Sequence, residues 1–379
     1  MAESTPHTVL LVGNYPPDGQ RSMRRFTELL ARGLREAGVR VERFHPPAVV
    51  GRLGASGRGF SKWLGYVDKY LLLPFFLRRA LGRLRRENGP VIAHICDHSN
   101  APYTRWVADG PHLVTCHDLL AVRSALGEVP ENRVRFTGRC QQAMILRGLR
   151  RSRMTVCVSE ATRDDLHRLL GARPGWTRVI PNVLDDAFIR EATDGAPRPR
   201  PVDTPLPESA PPAGTPYVMH VGGDKWYKNR AAVLSLFARL GAENADLRLV
   251  VVGPAFRQAQ LDAAGAAHLA PRIHYAGGVD DPGLRALYRG AALLLFPSRM
   301  EGFGWPILEA QACGCPAATL DRPPMQELNA LPELRLPADV DAADWPERAA
   351  RPCADAINAA PERRDAMRRQ ARAFAAHFT

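Results

Sequence analysis

The sequence predicts an α/β protein made of two Rossmann-like, doubly wound parallel sheets that face a cleft. Three observations predict it. The chain has 379 residues, enough for two domains rather than one. Short apolar runs alternate with amphipathic helical stretches in both halves, the pattern of repeated strand–helix–strand units. Between the halves, Thr193 to Pro216 carries eight prolines in 24 residues, a linker or exposed loop. The expected division is 1–192, 193–216 and 217–379.

In the first half, Thr8 to Tyr15 reads as a buried strand and Pro16 to Gln20 as a turn. Ser22 is placed to cap a helix whose apolar stripe is Met23, Phe26, Leu30, Leu34 and Ala37. Gly38 ends that helix, and Val39 to Phe44 is the second strand. Gly19 therefore sits in a strand-to-helix loop, where open α/β sheets bind ligands. Further strands are expected at Val91 to Asp97, His112 to Asp118, Met154 to Val158 and Thr177 to Val183. A basic helix fills Glu131 to Arg151, and Ser159 caps the next one. His117 stands at the C-terminal end of its strand, facing the ligand crevice, where it can bond a hydroxyl or phosphate or move a proton. Alternatively, His117 and Asp118 satisfy each other in the loop.

Residues 51–90 differ in character. They hold nine Arg or Lys, with Phe60, Trp63, Tyr66, Tyr70, Phe75 and Phe76 interleaved. Trp63, Arg78 and Arg79 are the residues assigned to a membrane or acceptor surface. The same composition suits a helical excursion that packs its aromatics inward and solvates its charges. The net charge of +12 predicts anionic partners; no nucleic-acid-binding motif accompanies it. Seven scattered cysteines, with no C-x-x-C, argue against a zinc site and fit a reducing compartment. The N-terminus lacks the signature of a signal peptide, and no apolar run reaches the length of a membrane span. A cytoplasmic protein is expected, with peripheral contact on the inner face of a membrane as an option.

In the second half, strands are expected at Tyr217 to Val221, Leu247 to Val252, Arg272 to Ala276 and Ala292 to Phe296. Lys225 and Lys228 lie in the first strand-to-helix loop, the place of a phosphate-binding cation, with Asn229 set to cap the helix that follows. After the fourth strand comes Ser298-Arg-Met-Glu301-Gly302-Phe303-Gly304-Trp305-Pro306-Ile-Leu-Glu309. Pro306 opens a helix and Gly314 follows its end. Glu301 lies in the loop and Glu309 about one turn into the helix, with glycines between them that let backbone N–H groups approach a ligand. Acids that accept from hydroxyls beside a phosphate-friendly helix end suit a nucleotide-sugar. A glycine loop with two solvated glutamates is the alternative.

With these residues in place, the chain resembles the retaining family-4 glycosyltransferases (glycosyl transferases group 1) of the GT-B fold. The matching text is Val221-Gly222, Lys228-Asn229, Val251-Val-Gly253-Pro254, Ile273 to Val279, Leu284 to Tyr288, and Phe296 to Ala310 with Gly314-Cys-Pro316. The first half matches more loosely, at Gly19, Thr115-Cys-His117-Asp118, Val158-Ser159-Glu160 and Ile180-Pro-Asn182-Val183. The resemblance implies transfer of a sugar from a UDP-, GDP- or ADP-linked donor to an acceptor hydroxyl, with retention and without a cofactor; metal independence is read from the residues instead, since the loop cations can replace a divalent ion. It implies a donor site of Gly19, Lys225, Lys228, Gly253, Val279, Glu301, Gly302, Phe303, Gly304 and Glu309. Glu309 would bind the ribose, Glu301 the sugar and Lys228 the diphosphate, with His117 at the reacting centre. Cell-envelope, polysaccharide or glycolipid synthesis is the implied setting, with a sugar, lipid-linked or small-molecule acceptor.

The sequence departs from the family pattern in three places. Many relatives carry an arginine where Gly223 stands, and Lys225 is a substitute for it. Gln20 follows Gly19 where relatives often have a second glycine. A last helix crossing back to the first domain looks short at His377-Phe-Thr379. The alternatives are another GT-B enzyme (a phosphorylase or sugar-nucleotide epimerase), a non-catalytic nucleotide-sugar scaffold, and a nicotinamide oxidoreductase. The last is disfavoured by the absence of G-x-G-x-x-G after the first strand.

Overall fold

The computed structural model describes residues 8–51, 60–193, 211–212 and 214–378, the side chains of 60–63 and 192–193 excepted. The chain forms two compact units, 1–181 and 182–379. The division precedes the proline-rich stretch expected to mark it, of which 194–210 and 213 lie outside the described residues. The reason is packing. The helix Asp186–Thr193 lies against the helices Trp305–Ala312 and Pro361–Ala375. Its Glu191 accepts from Arg289 at 2.6 and 2.9 Å.

The first unit holds β1 (Thr8–Val12), β2 (Arg40–Phe44), β3 (Val91–Ile95), β4 (His112–Cys116), β5 (Met154–Cys157) and β6 (Thr177–Val179). They form one parallel sheet in the order β2-β1-β3-β4-β5-β6. Alternation along β1 sends its side chains to two cores. Leu10 and Val12 join Leu73, Leu77, Leu81 and Leu84 of the helix Leu73–Asn88. Val9 and Leu11 meet Ala31, Phe26, Leu30 and Leu34 of the helix Arg21–Glu36 on the other face. That helix starts behind Gln20, so Ser22 lies in its first turn and does not cap it. Ser159 does cap, accepting from the Thr162 amide at 3.1 Å.

The second unit holds β7 (Tyr217–Val221), β8 (Arg248–Val252), β9 (Ile273–Tyr275), β10 (Leu293–Phe296), β11 (Ala317–Leu320) and β12 (Arg335–Leu336). This sheet is also parallel, in the order β12-β11-β10-β7-β8-β9. The sequence reading names four of these six strands. β12 is only two residues long, too short to carry a periodicity, and β11, though as long as β10, is Ala-Ala-Thr-Leu and lacks the run of large apolar side chains that marks β10 as Leu-Leu-Leu-Phe. The helices Trp345–Ile357 and Pro361–Ala375 close the unit, with Trp345 fully buried.

Each sheet therefore has one place where successive connections run in opposite directions. It lies between β1 and β3 in the first unit and between β7 and β10 in the second. Loops leaving such neighbouring strands diverge to opposite faces and open a crevice at the strand C-termini.

The basic stretch is helical at Phe60–Val67, turns through a π-helical segment Asp68–Leu72, and continues as Leu73–Asn88. Tyr70 packs inward on Tyr66 and Tyr103. Leu71 and Phe75, at 71% and 67% exposure, point to solvent beside the exposed Arg78 and Arg79. The inward-packing reading holds for Tyr70 but not for Phe75. Trp63 has a side chain outside the described set.

The contact between the helix Phe136–Arg151 and the segment His98–Tyr103 depends on a glycine. A Cβ on Gly148 would stand 2.3 Å from the backbone C and O of Ala101. Gly148→Ala should cost about 1–3 kcal/mol by overpacking, read as a lowered urea midpoint. Gly33, in the helix Arg21–Glu36 with open space at its Cβ, should do the opposite. Gly33→Ala should raise stability by roughly 0.5–1 kcal/mol. Equal effects of the two substitutions would contradict this packing.

Candidate functional site

In the second unit, the β7 and β10 loops meet at the strand reversal. After β7 the chain makes a 3-10 turn, Trp226–Lys228, and Asn229 takes a left-handed φ of 51°. Asn229 does not cap the next helix with its side chain, as expected of it; its Nδ2 donates to Pro297 O at 3.0 Å. The Arg299 amide donates to Tyr227 O at 2.7 Å. These two bonds tie the β7 loop to the β10 loop. Across the tie, Lys228 Nζ donates to Glu301 Oε1 at 2.7 Å, both side chains largely buried. Lys228 also lies over the Phe296 ring, 4.9 Å from its centroid. One of the three ammonium donors is thus committed, and Glu301 holds the charge in place.

The helix Trp305–Ala312 begins at Gly304, whose φ of 117° favours glycine, with Pro306 second in the helix. Glu309 lies on its buried side at 4% exposure and accepts from Tyr288 Oη at 3.5 Å. Burial, with the Glu309 charge next in effect, raises Tyr288 well above the ordinary phenol range, so it stays a donor to that carboxylate. Phe303 turns its ring toward Phe378, 6.3 Å between centroids.

The other expected donor residues divide. Lys225 is exposed in the β7 loop, while Asp224 beside it is drawn to Arg230 at 3.8 Å and Arg257 at 3.6 Å. Gly253 has a packing role: a Cβ there would strike Gly222 O at 2.2 Å. Val279 follows β9, at the sheet edge and away from the reversal.

Sequence reasoning missed three groups here. Arg230 is buried, donates to Pro254 O at 2.6 Å and stacks 4.1 Å over Phe256. His220, within β7, is fully buried; its Nδ1–H donates to Leu295 O at 3.0 Å. Its Nε2 has no partner among the described residues. Burial first, then the charges of Lys228 and Arg230, pull its pKa down to about 4 against one opposing backbone bond. The chain also contains one Asp-x-Asp, Asp339-Val340-Asp341, remote in sequence from both loops. Arg348 takes Asp339 at 2.6 Å and Arg299 takes Asp341 at 2.6 Å.

In the first unit the reversal between β1 and β3 gathers Asn14, Asp97 and His98, with His117 from β4. None but His117 was named from the sequence; a polar residue just past a strand is the signal that could have found the others. Asn14 Nδ2 donates to Asp97 Oδ2 at 2.5 Å. Burial alone would raise the Asp97 pKa, but His98, His117, Asn14 and the Ser99 amide outweigh it and hold the carboxyl low. His98 Nδ1 lies 3.3 Å from the His117 amide and 3.4 Å from Asp97 Oδ1.

His117 Nε2–H donates to Cys96 O at 2.9 Å, which leaves Nδ1 with the lone pair of the neutral ring. Burial lowers its pKa, against the pull of Asp97 and the Cys96 carbonyl. Asp118 does not satisfy His117; it accepts from the Leu120 amide at 2.9 Å. Gly19 closes the turn Pro16–Asp18 with φ 64° and is exposed, so the backbone angle, not crowding, calls for glycine.

Comparison with known proteins bears on the family and the fold. The family model described as Glycosyl transferases group 1 matches residues 204–373, and that described as Glycosyltransferase Family 4 matches 23–188. The chain is 27% identical over 256 residues to the 2-deoxystreptamine N-acetyl-D-glucosaminyltransferase of Streptomyces fradiae, covering 63% of this chain and 56% of that one. It is 29% identical over 281 residues to a D-inositol 3-phosphate glycosyltransferase of Segniliparus rotundus, covering 71% and 58%. The chain spans a little over half the length of these curated relatives. Among solved structures, sucrose-phosphate synthase from Thermosynechococcus elongatus superposes with a TM-score of 0.66 at 18% identity, over 98% of this chain and 94% of that one. The fold is GT-B.

His220 and His94 should titrate far below the ordinary histidine value of about 6.5. Burial takes His94 down to about 3, as it takes His220 to about 4. The unfolded chain then binds more protons below pH ~6.5, so stability from these two groups is complete above that pH and falls as pH drops toward 4 and 3. NMR titration of the ring protons should show these midpoints. A midpoint near 6.5 for His220 would refute its burial as neutral imidazole.

Proposed function

The chain belongs to the group 1, family 4 glycosyltransferases, and we propose that it transfers a sugar from a nucleotide-sugar donor to an acceptor hydroxyl with retention at the anomeric carbon. The observation that carries this reading is the Lys228–Glu301 pair at the strand reversal of the second unit, with the buried Glu309 on the helix that follows. Glu309 accepts from the ribose hydroxyls. Lys228, oriented by Glu301, and backbone N–H groups of Gly302 to Gly304 meet the charge that grows on the departing diphosphate. Such preorganised donors cost no reorganisation during the reaction. Lys225, two residues after the Gly223 position at which many relatives carry arginine, adds a second cation. The acceptor hydroxyl attacks from the face on which the diphosphate leaves, which preserves configuration. In the first unit, His117 Nδ1 accepts a hydrogen bond from a substrate hydroxyl. The charge is met by protein cations, so turnover without a divalent ion is expected.

The same reading places the protein in the cytoplasm. Its seven cysteines are free, six of them buried, as suits a reducing compartment. Among the described residues no helix is long and apolar enough to cross a membrane. The exposed Leu71 and Phe75 beside Arg78 and Arg79 support a peripheral contact with an anionic membrane surface, and with it a lipid-linked acceptor.

A thermal-shift screen of UDP-, GDP- and ADP-sugars identifies the donor, and NMR of the product's anomeric proton reads retention. Lys228→Met should lower kcat about 10²–10³-fold, the scale of losing one preorganised charge donor. Glu309→Ala should mainly weaken nucleotide binding, and His117→Ala mainly lower kcat. Unchanged nucleotide affinity in Glu309→Ala would sink the site assignment, and activity abolished by EDTA and restored by Mg²⁺ would sink metal independence.

A further inference from the structure

The first unit carries a groove whose lining residues include none of those assigned above to the donor or to the reacting centre. It lies between the end of β2 and the helix Leu73–Asn88, has a volume of about 440 Å³, and is lined by Phe44, His45, Phe76, Arg79, Arg83 and Arg86. β2 is the outermost strand of its sheet, so the groove opens at the sheet edge. Phe76, Arg79, Arg83 and Arg86 fall at three- and four-residue spacing, which sets them on one face of the helix. Leu73, Leu77, Leu81 and Leu84 bury the opposite face.

Three features give the groove its chemistry. Arg79, Arg83 and Arg86 are exposed, and none has an acidic partner among the described residues. Glu87 is the helix's single acid, against five arginines. Like charges at this spacing repel, so the cluster gains when an anion enters it. Guanidinium groups grip phosphate through paired N–H donors, a geometry that lysine lacks. The opposite wall is formed by Phe44, His45 and Pro47, and the rings of Phe44 across the groove and of Phe76 beside the arginines face the uncharged part of a ligand. The volume lies in the range of small-molecule sites.

The groove also touches the site loop of its own unit. His45 Nδ1–H donates to Asn14 O at 3.2 Å, and Asn14 in turn bonds Asp97. A Cβ on Gly13 would lie 2.5 Å from the His45 ring, so ring and loop are in close contact.

We propose that this groove binds a phosphate-bearing ligand, with its phosphate on Arg79, Arg83 and Arg86 and its ring or alkyl portion against Phe44 and Phe76. The groove shares Arg79 with the membrane contact at Leu71, Phe75, Arg78 and Arg79, whereas Arg83 and Arg86 belong to the groove alone. The ligand chemistry is shared by a free phosphate ester and by the headgroup of an anionic lipid.

Calorimetry with phenyl phosphate on the full chain tests it, beside co-sedimentation with phosphatidylcholine vesicles containing or lacking phosphatidic acid. The triple variant Arg79→Gln, Arg83→Gln, Arg86→Gln changes only exposed side chains and should keep the wild-type melting temperature and nucleotide binding. Phenyl phosphate should bind wild type and Lys228→Met alike, and bind the triple variant about tenfold or more weakly. Arg83→Lys, which keeps the charge without the fork, should fall between. If retention on phosphatidic acid vesicles also needs Arg83 and Arg86, read with Arg83→Gln, Arg86→Gln, a lipid headgroup reaches the groove. If retention instead depends only on Leu71 and Phe75, the occupant is a free phosphate ester. The proposal is overturned if the triple variant equals wild type with both probes. It is also overturned if Lys228→Met abolishes phenyl phosphate binding, which would place the probe in the second unit.

Discussion

The backbone tie between the β7 and β10 loops is the constraint on which the second unit's site depends. The strand order reverses beside β7, so the two loops would otherwise diverge. The Arg299 amide on Tyr227 O and the Asn229 side chain on Pro297 O draw them together. Only then do Lys228 and Glu301 come within 2.7 Å of each other. Separated, each would be a largely buried charge without its counter-ion, which is strongly destabilising. The left-handed φ of Asn229 is part of the same device, turning the chain at the end of the 3-10 turn so that its amide group reaches the neighbouring loop.

Buried polar atoms without a protein partner occur at or beside both strand reversals. Asn14 Oδ1 is one, at the end of β1; Ser298 Oγ, after β10, and His220 Nε2, within β7, are others. Each such atom costs about 1–3 kcal/mol when nothing satisfies it. Proteins tolerate this at sites that receive ligands, where local rules are broken for function. The low pKa of His220 keeps that cost from becoming a buried charge next to Lys228 and Arg230.

The first unit spends its basic character differently from the second. Its site residues, Asn14, Asp97, His98 and His117, form a hydrogen-bonded cluster around a buried carboxylate. Its arginines lie instead on the outer face of the helix Leu73–Asn88 and along Phe136–Arg151, where no acid on either helix except Glu87 balances them. The net charge of +12 thus comes partly from two helices that carry nine arginines against one acid.

The sequence by itself determined the α/β class, all six strands of the first unit, four of the second, the loops that carry Lys228, Glu301 and His117, and the helix that carries Glu309. These are local signals: apolar runs long enough for a buried strand, glycine and proline at helix ends, and polar residues after strands. What the tertiary structure decided is everything that depends on which strand lies beside which. The order β10-β7-β8 puts Lys228 on Glu301 and gives Gly253 a packing role against Gly222. The position of β3 beside β1 brings Asp97 to Asn14. Packing moved the unit boundary to Pro181, because the helix Asp186–Thr193 buries its face against the later helices and not against its own sequence neighbours. Strand order and helix docking are set by contacts between residues far apart in the chain, and no window of sequence contains both partners.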